Sequence, residues 1–136
     1  MAVYFNHEKL NVYQRSLDFI EWVTPHVEGV PGVMSLRNQL DRASTSIPLN
    51  VAEDNGKWTP KDRCRFFDNA HGSALECAAA LDIAVVKKVI ERDAVNDGKK
   101  ILQEIVNMLI GLIKANDPGR MFNEDDNLVT YGDNIR

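Results

Sequence analysis

The feature that most constrains this chain is a run that steps by three and four without a break: Phe67, Ala70, Ala74, Cys77, Leu81, Ala84 and Lys88. That spacing keeps side chains on one side of an α-helix, whereas a strand would need every second residue. Such a seam, about three turns longer than an average helix, needs neighbouring helices to cover it. Thr59, Pro60 and Asp62 supply a capping hydroxyl, a preset φ and an acid at the positive end of the dipole, so a helix is expected over residues 60–91. Its small residues, among them Ala70, Gly72, Ser73, Ala74, Ala78, Ala79 and Ala80, leave room for another backbone to come close.

Three further segments carry the same period. Leu10, Tyr13, Leu17, Ile20, Thr24 and Val27 predict a helix over residues 8–28, with Asn6 as its cap and Gly29, Pro31 and Gly32 as the break that follows. Leu36, Leu40, Ala43, Ile47 and Val51 predict a second over 35–54, capped by Ser35 and stopped near Gly56. Pro48 inside it should kink the helix unless Ser44, Thr45 or Ser46 satisfies the freed acceptor. Ile101, Ile105, Met108 and Leu112, widened by Leu102, Val106, Leu109 and Ile113, predict the last over 94–115, with Asp93 as cap. So broad a face suggests partial burial against another subunit, the other reading being a thick core within one chain. Gly72 and Gly111, like Gly56, are assigned packing or capping roles.

Short connections make successive helices antiparallel neighbours. The expected fold is all-α: an antiparallel up-down-up-down four-helix bundle over residues 1–116, followed by an acidic tail over 117–136. A content of 44% hydrophobic and 26% charged residues fits one globular domain. No apolar run approaches the roughly 20 residues that cross a bilayer, and the first residues lack the layout of a secretion signal, so a cytoplasmic protein is expected.

Cys64 and Cys77 lie on one predicted helix, about 20 Å apart along its axis, too far to bridge within a chain. They are expected to be reduced and structural, and His7, His26 and His71 show no ligand spacing with them. No metal or cofactor is expected. A di-iron bundle would need glutamates with a histidine three residues on, and there are none; the H-E-x-x-H and G-x-S-x-G patterns and a phosphate-binding glycine loop are missing too. The chain is therefore expected not to be an enzyme, with His71 a boundary residue.

A polar line runs beside the apolar one on helix two: Gln39, Arg42, Ser46, Asn50 and Glu53. Helix three offers Arg65, Asn69, Ser73 and Glu76. A hairpin between them should set Ser46 near Asn69, and Arg42 near Ser73 and Glu76. A ligand site is one reading; a hydrogen-bonded seam that fixes register is favoured, with Arg42 and Glu76 as a buried, two-point ion pair.

The stretch QLDRASTSIPLNVAEDNG, with LNVYQRSLDF before it and FFDNAHGSALE after it, resembles the four-helix-bundle proteins encoded in intervening sequences of 23S ribosomal RNA genes. The resemblance covers about residues 9–115. Leu10, Val12 and Tyr13 match the opening motif; Arg42, Ala43, Ser46, Ile47, Pro48, Asn50, Ala52 and Glu53 match the most characteristic run; Phe67, Ala70, Gly72, Ser73 and Glu76 match the third-helix motif. Asp54 and Asn55 stand where the family commonly has a glycine after the glutamate. The resemblance implies a homopentameric ring, related in architecture to the accessory variability determinant of diversity-generating retroelements, and nucleic-acid binding as the usual proposal.

Net charge is −4, of which the tail contributes −3 through five acids and two arginines, leaving the body at −1. Binding of RNA or DNA must therefore rest on local patches. The candidates are Lys57, Lys61, Arg63 and Arg65 at one end of helix three, with Trp58 as a stacking residue, and Lys87, Lys88 and Arg92, followed by Lys99 and Lys100, at the other. The alternative is a protein-interaction scaffold, or an accessory subunit of a nucleic-acid enzyme. It rests on the wide apolar stripe of helix four and on Met121, Phe122, Leu128, Val129 and Tyr131 in the tail.

Overall fold

A computed structural model describes residues 2–54 and 59–120, the side chain of Asp54 excepted. Lys57, Trp58 and the tail beyond Arg120 lie outside the described residues. A short 3-10 turn, Asn6–Lys9, precedes four helices: α1 (Asn11–Val27), α2 (Met34–Asp54), α3 (Pro60–Val86) and α4 (Arg92–Asn116). Each helix packs on two others, in the cycle α1–α2–α3–α4, with α2 on α3 the most extensive pair. Partners across two of these seams run in opposite order. Arg42 meets Glu76 where Ser46 meets Ser73, and Arg15 meets Glu104 where Trp22 meets Gly98.

The apolar periods of α2 and α3 are the core: Leu36, Leu40, Ala43, Ile47 and Val51 face Phe67, Ala70, Ala74, Cys77, Leu81 and Ala84, all buried. Fully burying a large aliphatic side chain is worth about 1.5–3 kcal/mol, so these rows supply most of what holds the hairpin together. On α1 the buried row is Val12, Ser16, Phe19, Val23 and Val27, one position away from the expected one except at Val27. Leu17 and Thr24 face outward. Ser16 occupies a core position by donating its hydroxyl to Val12 O at 2.6 Å, which lets a polar residue stand where the periodicity demands an apolar one.

The stripe of α4 is absorbed within the chain: Ile101, Leu102, Ile105, Val106, Leu109 and Ile113 are buried, while Met108 and Leu112 pack on the core half-exposed. Its breadth therefore needs no second subunit. Where α1 crosses α4, Gly98 lets the Trp22 ring lie against the helix. A Cβ there would fall 2.4–2.8 Å from three ring atoms. The ring is held by stacking on His26, with centroids 4.3 Å apart. Gly72 and Gly111 face open space and Gly56 lies outside the described residues, so among the described glycines the one against which a side chain packs, Gly98, is one that periodicity did not single out.

Several ends differ from expectation for local reasons. Helix one starts at Asn11, because extended Leu10 separates it from the 3-10 turn; the cap is Leu10, not Asn6. Ser35 lies inside the first turn of α2, since Arg37 N–H already donates to Val33 O at 2.9 Å. Glu91 stands at the cap of α4, with Asp93 in its first turn. Helix two continues through Pro48, and the Ser44 hydroxyl donates to Asp41 O at 3.2 Å instead of assisting at the carbonyl that the proline leaves free.

Helix three ends five residues early, at Val86 rather than at 91. Lys88 takes a left-handed φ of 62°. Val89 N–H then donates to Ala84 O at 2.8 Å and Lys88 N–H to Val85 O at 3.0 Å, the paired closing bonds of a Schellman end. That position usually belongs to glycine, because an L side chain there costs about 1–2 kcal/mol.

Candidate nucleic-acid interface

The first cluster is built on the start of α3. The Thr59 hydroxyl accepts from Asp62 N–H at 3.2 Å and Pro60 opens the first turn, as the sequence leads one to expect. That cap fixes Lys61, Arg63 and Arg65 on the first two turns, with Lys61 and Arg65 exposed and Arg63 half-buried. The Arg65 guanidinium stands 5.0 Å from the centroid of the buried Phe66 ring. The helix N-terminus adds its own partial positive charge, so cations and dipole act together on an approaching anion.

The second cluster sits on the α3–α4 turn. Lys87, Lys88 and Arg92 are all exposed, around the left-handed Lys88. Glu91, Asp93 and Asp97 are exposed beside them; the carboxyl end of α3 brings negative partial charge and the amino end of α4, which begins at Arg92, brings positive, so the two dipoles offset one another. Lys87 follows Lys61 by 26 positions, so the clusters stand about 39 Å apart along the axis of α3. The structure does not bring them into one surface within a chain.

Ion pairing separates these cations from others. Arg15 binds Asp18 and Glu104, Arg42 binds Glu76, Lys99 binds Asp82, and Arg120 binds Asp68. Lys61, Arg65, Lys87, Lys88 and Arg92 have no ion pair among the described residues. Lys99 and Lys100 lie apart from the turn, over a groove between α3 and α4.

The polar seam between α2 and α3 forms with altered partners. Ser73 donates to the Ser46 hydroxyl at 2.9 Å, and the Asn50 amide donates to the same oxygen at 3.0 Å and to Ser46 O at 2.9 Å. Ser73, rather than the exposed Asn69, is the hydrogen-bond partner of Ser46, and Arg65 and Glu53 are exposed as well. Glu76 Oε2 accepts from both Arg42 and Gln39 at 3.3 Å. The Arg42–Glu76 pair is found but is not buried: the arginine side chain is 70% exposed and touches one carboxylate oxygen, because position 42 looks outward and only its long stem reaches across. At such exposure the pair is worth at most about 1 kcal/mol.

Cys64 and Cys77 are buried free thiols. Burial, reinforced by the charge of Glu76, pushes the Cys77 thiol up to about 12, so it stays protonated and unreactive at neutral pH. His71 is half-buried on α3. Among the described residues no three His, Cys, Asp or Glu side chains gather as metal ligands, and no helix is long and apolar enough to cross a membrane.

Four helices around one apolar core, joined by a hydroxyl seam and carrying cations at both ends of the longest helix, define an all-α four-helix-bundle protein. The chain belongs to the 23S rRNA-intervening sequence protein family, whose pattern matches residues 8–111. No curated relative matches it.

Proposed function

We propose that this is a non-enzymatic, cytoplasmic protein that assembles into a homo-oligomeric ring, with five subunits as its family resemblance implies, and binds RNA or DNA through basic patches. The opposed order of the cross-helix pairs supports an up-down-up-down bundle as the repeating unit. The observation that carries the binding reading is that exposed cations at both ends of α3, Lys61 and Arg65 at one and Lys87, Lys88 and Arg92 at the other, have no ion pair among the described residues. In a chain that commits several other cations to acids, these are left to meet phosphate. A ring would repeat each cluster once per subunit and so offset the acidic balance of the single chain. Support for assembly comes from an outward row on α3, Ala79, Ile83 and Val86, whose larger members are 42–78% exposed and which step by four and three.

A second reading, a protein-interaction scaffold or accessory subunit, is favoured by Tyr4 and Phe5, which stand 82% and 65% exposed ahead of α1. Salt separates the two, since phosphate contacts weaken steeply with ionic strength and apolar docking does not. Light scattering of the protein with a short structured RNA is the test. A ring whose mass rises with RNA at low salt and falls back at moderate salt supports the proposal. A ring indifferent to RNA at both salts leaves the scaffold, and a monomer removes the ring.

A further inference from the structure

The groove between α3 and α4 is about 430 Å³, floored by Ala74, Ala78 and Val106 and rimmed by Leu75, Lys99 and Lys100. Leu75 is 42% exposed there, and Lys100 has no ion pair among the described residues. Asp82 neutralises Lys99, so the lower end of the groove keeps a net positive charge.

The end of α4 delivers the chain to this place. Arg120 N–H donates to Asp117 O at 3.0 Å, turning the backbone after Asn116. The Arg120 guanidinium then pairs with Asp68 of α3 at 2.9 Å, so the last described residue lies against α3. Ala74 begins about 9 Å further along that helix, and Asp82, which marks the level of Lys99, about 21 Å.

The sixteen residues from Met121 to Arg136 have the composition and the reach to fill it. At about 3.3 Å per extended residue, the two residues to Phe122 can span about 7 Å from Arg120, the reach needed for the apolar floor, and the six to Asp126 about 20 Å, the reach needed for the lysines. Met121 and Phe122 thus precede Glu124, Asp125 and Asp126 in the order in which apolar floor precedes basic end. We infer that the α3–α4 groove is the docking site of the chain's own C-terminal segment, held by apolar contact at Ala74 and Leu75 and by charge at Lys100, beside the Lys99–Asp82 pair. This does not depend on whether the protein binds nucleic acid.

Carbodiimide coupling of the full chain tests it, because the reagent joins a carboxylate to an amine only when the two touch. Equal amounts of nitrogen-14 and nitrogen-15 protein are unfolded together and refolded, so that any ring contains both, then coupled and mapped by mass spectrometry. Amide links from Glu124, Asp125 or Asp126 to Lys99 or Lys100, each within one isotope, are expected. Ala78→Phe, which fills the floor and leaves every charge in place, should lower their yield at least fivefold while the Lys99–Asp82 link reports an intact fold. If that variant does not fold, Leu75→Glu at the exposed rim should give the same loss. Isotopically mixed links would place a neighbour's tail in the groove and overturn the inference. So would an absence of such links, or a yield that neither substitution reduces.

Discussion

The two ends of α3 carry the same sign of side-chain charge on opposite scaffolds. At Thr59 the helix begins with a hydroxyl cap, a proline and the favourable pole of the dipole, so Lys61, Arg63 and Arg65 stand in a field that already attracts anions. At Lys88 it ends with a lysine in a conformation suited to glycine, among exposed acids, where the closing pole of α3 is offset by the opening pole of α4. Equal numbers of cations therefore need not give equal affinity for phosphate. The backbone and the neighbouring acids set the field in which each cation works.

The largest expected effect separates the ends directly. Replacing Lys61, Arg63 and Arg65 by alanine should weaken RNA binding about 100-fold at 0.1 M salt, the counterion-release value of three phosphate contacts, and make the salt dependence shallower by about two in log–log slope. Titration by fluorescence anisotropy at several salt concentrations reads both, and undiminished binding would remove the start of α3 as the contact surface. The same triple change at Lys87, Lys88 and Arg92 should cost less than about tenfold, since exposed Glu91, Asp93 and Asp97 oppose those cations. A larger loss there would reverse the ranking.

Stability sharpens the contrast. Thr59→Ala removes the acceptor for Asp62 N–H and should lower unfolding free energy by about 1 kcal/mol in urea titration. Lys88→Gly should raise it by about 1 kcal/mol, because glycine takes the left-handed position without a Cβ clash. One end loses stability on substitution and the other gains it, and a destabilised glycine variant would show that Lys88 is held there by a contact worth more than its strain.

The sequence makes much of this scaffold legible. The core rows of α2 and α3 stand where their periods put them, since every position in them is apolar or small. Helix one was rotated by a position because Ser16 satisfies its hydroxyl locally and sits in the core, while Leu17 lies outside. The period runs past the end of α3 because Lys88 continues it in sequence and breaks the helix in space. In the candidate site, the positions of the cations could be read but their state could not. Whether a lysine is neutralised depends on acids brought from other helices, as Asp82 is to Lys99 and Asp68 is to Arg120. The Arg42–Glu76 partnership followed from hairpin register, whereas its exposure follows from the angle at which position 42 leaves α2.

Cys77 gives the bundle a clock. Its sulfur is fully buried on the seam of α3 and holds its proton to about pH 12, so a thiol reagent can capture it only while the helices are apart. With the reagent in excess, the labelling rate reads how often the bundle opens; when closing outruns capture, it reads the fraction of time spent open. Each alkylated molecule then records one breathing event, and a partner that clamps the helices together would show itself as a slowing of that clock.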